Sequence, residues 1–147
     1  MAHETEKPNT GALKGLRVVE LGQLLAGPFC GQLLGDMGAD VIKVEPPGAG
    51  DPFRVWGMGE EKVVWEVLAR NKQSVSCNLR VPEGQALVRK LIATADVLVE
   101  NFKPGTLEKW GLAPAVLHAD NPGLIIARMS GYGQTGPYSD RAGFGGI

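Results

Sequence analysis

Short β-branched runs that alternate with helix-type segments set the frame for this chain. Residues 16–21 read LRVVEL, a strand-type run that Gly22 ends. Pro28 then opens a helical stretch, FCGQLLGDMG, because a proline in the first helical turn gives up no internal hydrogen bond. Gly38 closes that helix, and DVIKVE over residues 40–45 is a second strand that breaks at Pro46, Pro47 and Gly48. A strand–helix–strand unit of this length predicts two parallel strands joined by a right-handed crossover.

The pattern then recurs. Residues 74–79 (SVSCNL) read as a strand. Pro82 starts a helix through PEGQALVRKLIATA, with Leu87, Val88, Leu91 and Ile92 expected on one face. Residues 96–100 (DVLVE) return as a strand. A loop with a short helix around LEKW follows, then one or two helical turns over 114–119, then a strand over 124–129 (LIIARM). From Gly131 onward the chain is rich in Gly and Pro and reads as loop. Residues 51–71 are the least patterned, and a partly helical connection is expected around 63–68. Strands alternating with helices predict an α/β fold, a doubly wound parallel sheet.

Composition bounds the function. The 147 residues are 44% apolar and 21% charged, enough for a core and too apolar for a disordered chain. The net charge of -1 points to no nucleic acid and no membrane surface as partner. No apolar run reaches the roughly 18 residues that span a bilayer. Residues 1–12 are polar, carry Glu4, Glu6, Lys7 and Pro8, and read as a disordered lead-in rather than a secretory signal. Cys30 and Cys77 make neither a disulfide framework nor a zinc site, and free thiols fit a cytoplasmic compartment. His3 and His118 leave little material for histidine acid–base or metal chemistry, so no metal is expected. The chain stops at FGGI, where a truncation is expected rather than a tapering terminus.

In open parallel sheets, ligands sit beyond the carboxyl ends of the strands. Those ends carry Gly22 to Pro28, Pro46 to Asp51, Asn101 to Gly105 and Ser130 to Pro137. The first loop, GQLLAGP, lacks the GxGxxG fingerprint of dinucleotide binding. No GxxxxGK[ST] loop and no GxSxG elbow occurs. Arg70, Lys72, Arg80, Lys103 and Lys109 fall near strand or loop ends, where cations can meet phosphate, although solvated surface charge is the plainer reading of each.

Four blocks carry a resemblance. GLRVVELGQLLAGPFCGQLLGDMGADVIKVEPPGAGD, RNKQSVSCNL, DVLVENFKPGTLEKWG and LIIARMSGYGQTGPYSDRAGFG resemble, in family order, the amino-terminal portion of class III CoA-transferases, the CaiB/BaiF family. The resemblance implies a Rossmann-like large domain, of which residues 13–147 are the amino-terminal, CoA-binding part. It implies an interlocked homodimer of full-length chains, with acyl-CoA and a small carboxylic acid as substrates and no tightly bound cofactor. It implies CoA contacts at Leu25 and Ala26; at Cys77, Asn78, Leu79 and Arg80, with Arg80 on phosphate; at Asn101, Phe102 and Lys103 along the pantetheine arm; at Lys109 on phosphate; and at Ser130, Gly131, Tyr132 and Gly133 near the thioester. Pro46 stands where some members carry arginine. Core packing is the plainer reading of Cys77 and Phe102, and a simple turn that of Gly131 and Gly133.

The resemblance also implies a nucleophilic aspartate in a block beyond Ile147, so the 147-residue chain alone is expected to be inactive. An α-methylacyl-CoA racemase is the rival within the family. Its AGHD-type histidine aligns with Phe144 in Ala142-Gly143-Phe144-Gly145, and phenylalanine moves no proton. A non-catalytic CoA-binding module is the rival from another class.

Overall fold

The computed structural model describes residues 11–56 and 63–143. Residues 1–10 of the expected lead-in, with His3, and Phe144 and Gly145 lie outside the described residues. Among the described residues, β1 (Arg17–Glu20), β2 (Asp40–Glu45), β3 (Lys72–Ser76), β4 (Val97–Glu100) and β5 (Ile125–Arg128) form one sheet. Its order is β3-β2-β1-β4-β5, and every neighbouring pair is parallel. The helices are α1 (Ala26–Asp36), α2 (Val63–Ala69), α3 (Pro82–Ile92), α4 (Thr106–Lys109) and α5 (Pro114–Asp120). This is the expected α/β, doubly wound arrangement, with the strand order reversing between β1 and β4.

Alternation along the strands sends side chains to two cores. Val19 and Leu98 pack with Val88, Ile92, Leu107 and Leu117, which belong to α3, α4 and α5. Val18, Val41, Val97 and Val99 pack on the other face with Cys30 and Leu34 of α1. Both faces of the sheet are covered, which is why β1 and β4 read as nearly continuous apolar runs.

The start of α1, the span of β3 and the inward face of α3 differ from the sequence expectation. Helix α1 begins at Ala26, two residues before Pro28, with the Leu25 carbonyl accepting from the Phe29 N–H at 2.7 Å. Pro28 still lies in the first turn, where its missing donor costs nothing. Strand β3 begins at Lys72 and ends at Ser76, rather than spanning 74–79. Its pairing stops once the Cys77 N–H has bonded the Glu45 carbonyl, because β2 turns away at Pro46. The inward face of α3 is Gly84, Val88 and Ile92. Leu87 is 58% exposed, since four-residue spacing rotates it off that face. The helix expected around 63–68 is α2, and a single 3₁₀ turn (Pro52–Val55) precedes it.

Helix α1 approaches the sheet on a stripe of glycines at four-residue spacing, Gly27, Gly31 and Gly35, all buried. A Cβ at Gly27 would lie 2.7 Å from the Gly22 Cα, and one at Gly31 would collide with the Glu20 carboxylate. A Cβ at Gly35 would press on the Asn71 carbonyl at 3.1 Å. The helix therefore sits closer to the strands than any side chain permits. Overpacking at such a contact costs about 1–3 kcal/mol. Gly31→Ala is expected to lower unfolding free energy by about 2 kcal/mol, read as a shift of the urea midpoint.

Candidate functional site

Three of the strands end in Val–Glu, and the glutamates organise the carboxyl edge of the sheet. Glu20 and Lys43 are register partners on β1 and β2. The Lys43 ammonium is 2% exposed and donates to Glu20 Oε1 at 2.8 Å and to the Gly22 carbonyl at 2.9 Å. It also lies 2.8 Å from Asp51 Oδ2. The second Glu20 oxygen pairs with Lys72 Nζ at 2.8 Å, and Lys72 also donates to the Pro28 carbonyl. Burial pushes the Lys72 ammonium below its ordinary pKa, against the pull of Glu20. Removing one partner from such a buried pair costs about 3–5 kcal/mol. Lys72, a candidate phosphate cation from sequence, is thus an internal counter-ion.

Glu45 closes the next strand. It accepts from Arg54 at 2.6 and 2.7 Å, from the Ser74 hydroxyl at 2.6 Å and from the Asp51 N–H at 2.9 Å. The Arg54 guanidinium stacks 4.2 Å from the Trp65 ring centroid, which ties α2 to this edge. Glu100 ends β4, accepting from Arg128 at 2.7 Å and from the Phe102 N–H at 2.7 Å.

This framework fixes the loop after β1. The Asn101 carboxamide accepts from the Gln23 N–H at 2.7 Å and donates to the Gln23 carbonyl at 2.8 Å. Asp51 Oδ1 accepts from the Leu24 N–H at 3.1 Å and from the Phe53 N–H at 2.8 Å. Leu24 sits at φ +61°, a left-handed conformation that costs a non-glycine residue roughly 1–2 kcal/mol. At the crevice between β1 and β4, where nucleotides sit in many doubly wound sheets, Asn101 and Gly27 crowd Gly22, and a Cβ there would lie 2.7 Å from the Gly27 Cα.

Open space lies on the α3–α4 side of this edge and reaches across to β2 and β3. A cleft of about 260 Å³ is lined by Leu21 and Gln23 after β1, Val44 to Pro46 at the end of β2, and Cys77 to Arg80 after β3. Phe102, Thr106 and Trp110 complete it from the β4–α4 side. Phe102 packs edge-on against Trp110 at 5.1 Å. The Cys77 thiol is buried, 3.5 Å from the Gly84 carbonyl, so it serves core and cleft wall together. Among the described residues, the Arg80 guanidinium and the Gln23 carboxamide meet no hydrogen-bond partner.

Of the candidate CoA contacts, Cys77, Asn78, Leu79, Arg80 and Phe102 meet in this cleft. The others do not line it. Asn101 spends both ends of its amide on Gln23. Leu25 and Ala26 are exposed at the start of α1, and Lys103 and Lys109 are exposed beside the cleft's β4–α4 wall. Ser130 accepts from Gln134 at 3.3 Å, and Tyr132 packs edge-on against Tyr138 at 5.7 Å, with Gly131 and Gly133 exposed in the same loop. Arg70 pairs with Asp36 at the end of α1, away from the cleft. Gln23, Thr106 and Trp110 were not singled out by sequence. The repeated Val–Glu ending was the legible sign of the charge network.

Comparison with known proteins now decides the family. The family model for CoA-transferase family III matches residues 13–147. The chain belongs to CoA-transferase family III. It is 63% identical over 138 residues to the succinyl-CoA–D-citramalate CoA-transferase of Chloroflexus aurantiacus, covering 92% of this chain and 34% of that protein. It is 42% identical to human succinyl-CoA:glutarate CoA-transferase, covering 98% of this chain and 34% of that protein. Among solved structures, a CAIB/BAIF family protein from Brucella suis superposes with TM-score 0.85 at 48% identity, over 91% of this chain and 37% of that one. The hypothetical protein Rv3272 from Mycobacterium tuberculosis superposes with TM-score 0.86 at 41% identity, over 93% of this chain and 38% of that one. The chain thus spans about a third of the length of the curated relatives it matches. Among its described residues no helix is long and apolar enough to cross a membrane.

In this family III chain the charge network has an acid signature. Burial pushes the Glu45 carboxyl up, but Arg54, Ser74 and the Asp51 N–H outweigh it and hold the group at about 2, against an ordinary 4.5. The unfolded chain takes up that proton first as pH falls. The contribution is therefore complete above about pH 4.5 and is lost as pH drops towards about 2. Glu45→Gln is expected to remove a stabilisation of order 3 kcal/mol at neutral pH and to flatten the acid limb of stability against pH, followed by urea unfolding at stepped pH.

Proposed function

We propose that the chain is the amino-terminal, CoA-binding part of an enzyme that moves CoA from an acyl-CoA thioester to a carboxylic acid. Residues 13–147 are that part of the large domain. Family membership supports this reading, and the observation that carries it is the cleft beyond β1, β2 and β3, with Asn78, Leu79 and an unpaired Arg80 on one wall. Drug-sized ligands occupy roughly 300–1,000 Å³. A cleft of about 260 Å³ therefore takes part of CoA, with the remainder running over the flanking loops. Lys103, Lys109 and the Ser130–Gly133 segment supply contacts along that longer path, with Leu25 and Ala26 at the start of α1. Named activities of relatives, succinyl-CoA with citramalate or glutarate, favour a short dicarboxylic acid as one substrate.

The chemistry is covalent. An aspartate carboxylate attacks the thioester carbonyl, giving a mixed anhydride and CoA thiolate. The thiolate attacks the aspartyl carbonyl and releases the donor acid, leaving an aspartyl-CoA thioester. The acceptor carboxylate attacks that thioester, and the thiolate then returns to the acceptor carbonyl, freeing the aspartate. Each step exchanges one carboxylate or thiolate for another, so no external oxidant or base is consumed. The nucleophile lies beyond Ile147, and the enzyme works as an interlocked homodimer in the cytoplasm.

The test is CoA titration by calorimetry on the full polypeptide, with and without Arg80. Arg80→Ala is expected to raise Kd about tenfold, the loss of one charge-assisted phosphate contact. No heat of binding in the wild type would discard the CoA site. CoA exchange between succinyl-CoA and a second acid, without deuterium entering the α-carbon, separates a transferase from a racemase. The 147-residue chain alone is expected to give no turnover in the same assay.

A further inference from the structure

We propose that Asp51 is a positioning residue: its carboxylate locks Leu24 in the left-handed conformation and so fixes Gln23 on the wall of the cleft. As regards the ligand, this rests on the CoA reading above; as regards the loop, it rests on geometry alone.

Residues 22–24 bridge β1 and α1 without any backbone–backbone hydrogen bond of their own among the described residues. Leu21 before them donates to the Val99 carbonyl, and Leu25 after them accepts from Phe29. Between those points every hold comes from a side chain. Lys43 holds the Gly22 carbonyl, Asn101 holds both backbone groups of Gln23, and Asp51 holds the Leu24 N–H. These three side chains come from β2, the loop after β4 and the loop after β2. The conformation they impose places Leu24 at φ +61°, which a leucine does not adopt without compensation.

Asp51 can impose it because it is itself held. It is 1% exposed, its own N–H donates to Glu45 Oε2, and its Oδ2 lies 2.8 Å from Lys43. The carboxylate therefore cannot swing away to relieve the strained residue. What the lock presents is Gln23. Its backbone is pinned on both sides, its side chain lines the cleft, and that carboxamide is free of intramolecular partners among the described residues. A carboxamide offers one donor and one acceptor side by side, the complement of an amide such as those of the pantetheine arm. Fixing the Gln23 backbone before the ligand arrives removes part of the ordering cost from binding.

The test combines amide hydrogen exchange with CoA titration on the full polypeptide. In the wild type the Gln23 and Leu24 amides, although outside the sheet, are expected to exchange as slowly as that of Leu21. Asp51→Ala is expected to speed Leu24 exchange at least about tenfold relative to Val19 in the sheet and to weaken CoA about tenfold. Adding Leu24→Gly to D51A removes the backbone penalty and is expected to bring affinity back to within about threefold of wild type. An effect that came only from leaving the Lys43 ammonium without its second carboxylate would not be rescued this way. If D51A does not fold, the exchange rate of the wild-type Leu24 amide carries the test. Fast Leu24 exchange in the wild type, or a D51A/L24G protein as weak as D51A, would overturn the proposal. A wild type that ignores CoA but protects the Leu24 amide would sink the CoA reading and leave the lock standing.

Discussion

One ammonium group, that of Lys43, holds the carboxyl edge of this sheet together. It donates to Glu20 and to the Gly22 carbonyl and lies in ion-pair contact with Asp51, so two buried carboxylates balance its charge. A buried cation is tolerable only under that condition. Glu20 passes its second oxygen to Lys72, which reaches the Pro28 carbonyl, and Asp51 passes its other oxygen to Leu24 and Phe53. Opposite charges thus alternate from β3 through β1 and β2 into the loops that follow. Those loops are the walls of the cleft, so the electrostatics of the sheet interior dictate the shape of the surface.

The same constraint shapes the cleft around the strand-order reversal. Between the ends of β1 and β4 the Asn101 carboxamide is spent on the Gln23 backbone, and Gly22 lies close against Gly27. The concavity runs from Leu21, Gln23 and Phe102 to the flank beyond β2 and β3, where Pro46 ends the pairing and the chain after Cys77 turns away from the sheet. The fold keeps the doubly wound plan and extends its usable concavity over two further strands.

Much of this plan was legible from residues alone. The β-branched runs located every strand, and Pro82 and Pro114 marked two helix starts where the structure has them. The end of β3 was misplaced because SVSCNL continues its apolar pattern past the point where β2 stops offering partners. Strand propensity is local, whereas pairing is not. Leu87 was misjudged because α3 buries the stripe Gly84, Val88 and Ile92, whose first member contributes no hydrophobicity to a pattern search. At the site, Cys77 to Arg80 and Phe102 converge on the cleft, while Asn101 turns inward to the backbone. Sequence gives the type of group at a strand end. Which neighbour it meets depends on the sheet order, and that order places Gln23 beside residues more than fifty positions away.

The meeting of Gly31 with the Glu20 carboxylate joins two positions that no single-residue substitution can change freely. A methyl on the helix needs a shorter residue on the strand, and a shorter residue on the strand leaves Lys43 and Lys72 facing one another without their shared anion. Divergence at this spot therefore has to proceed through several coordinated replacements at once. The glycine is held in place by the chemistry beneath it rather than by any demand of its own backbone.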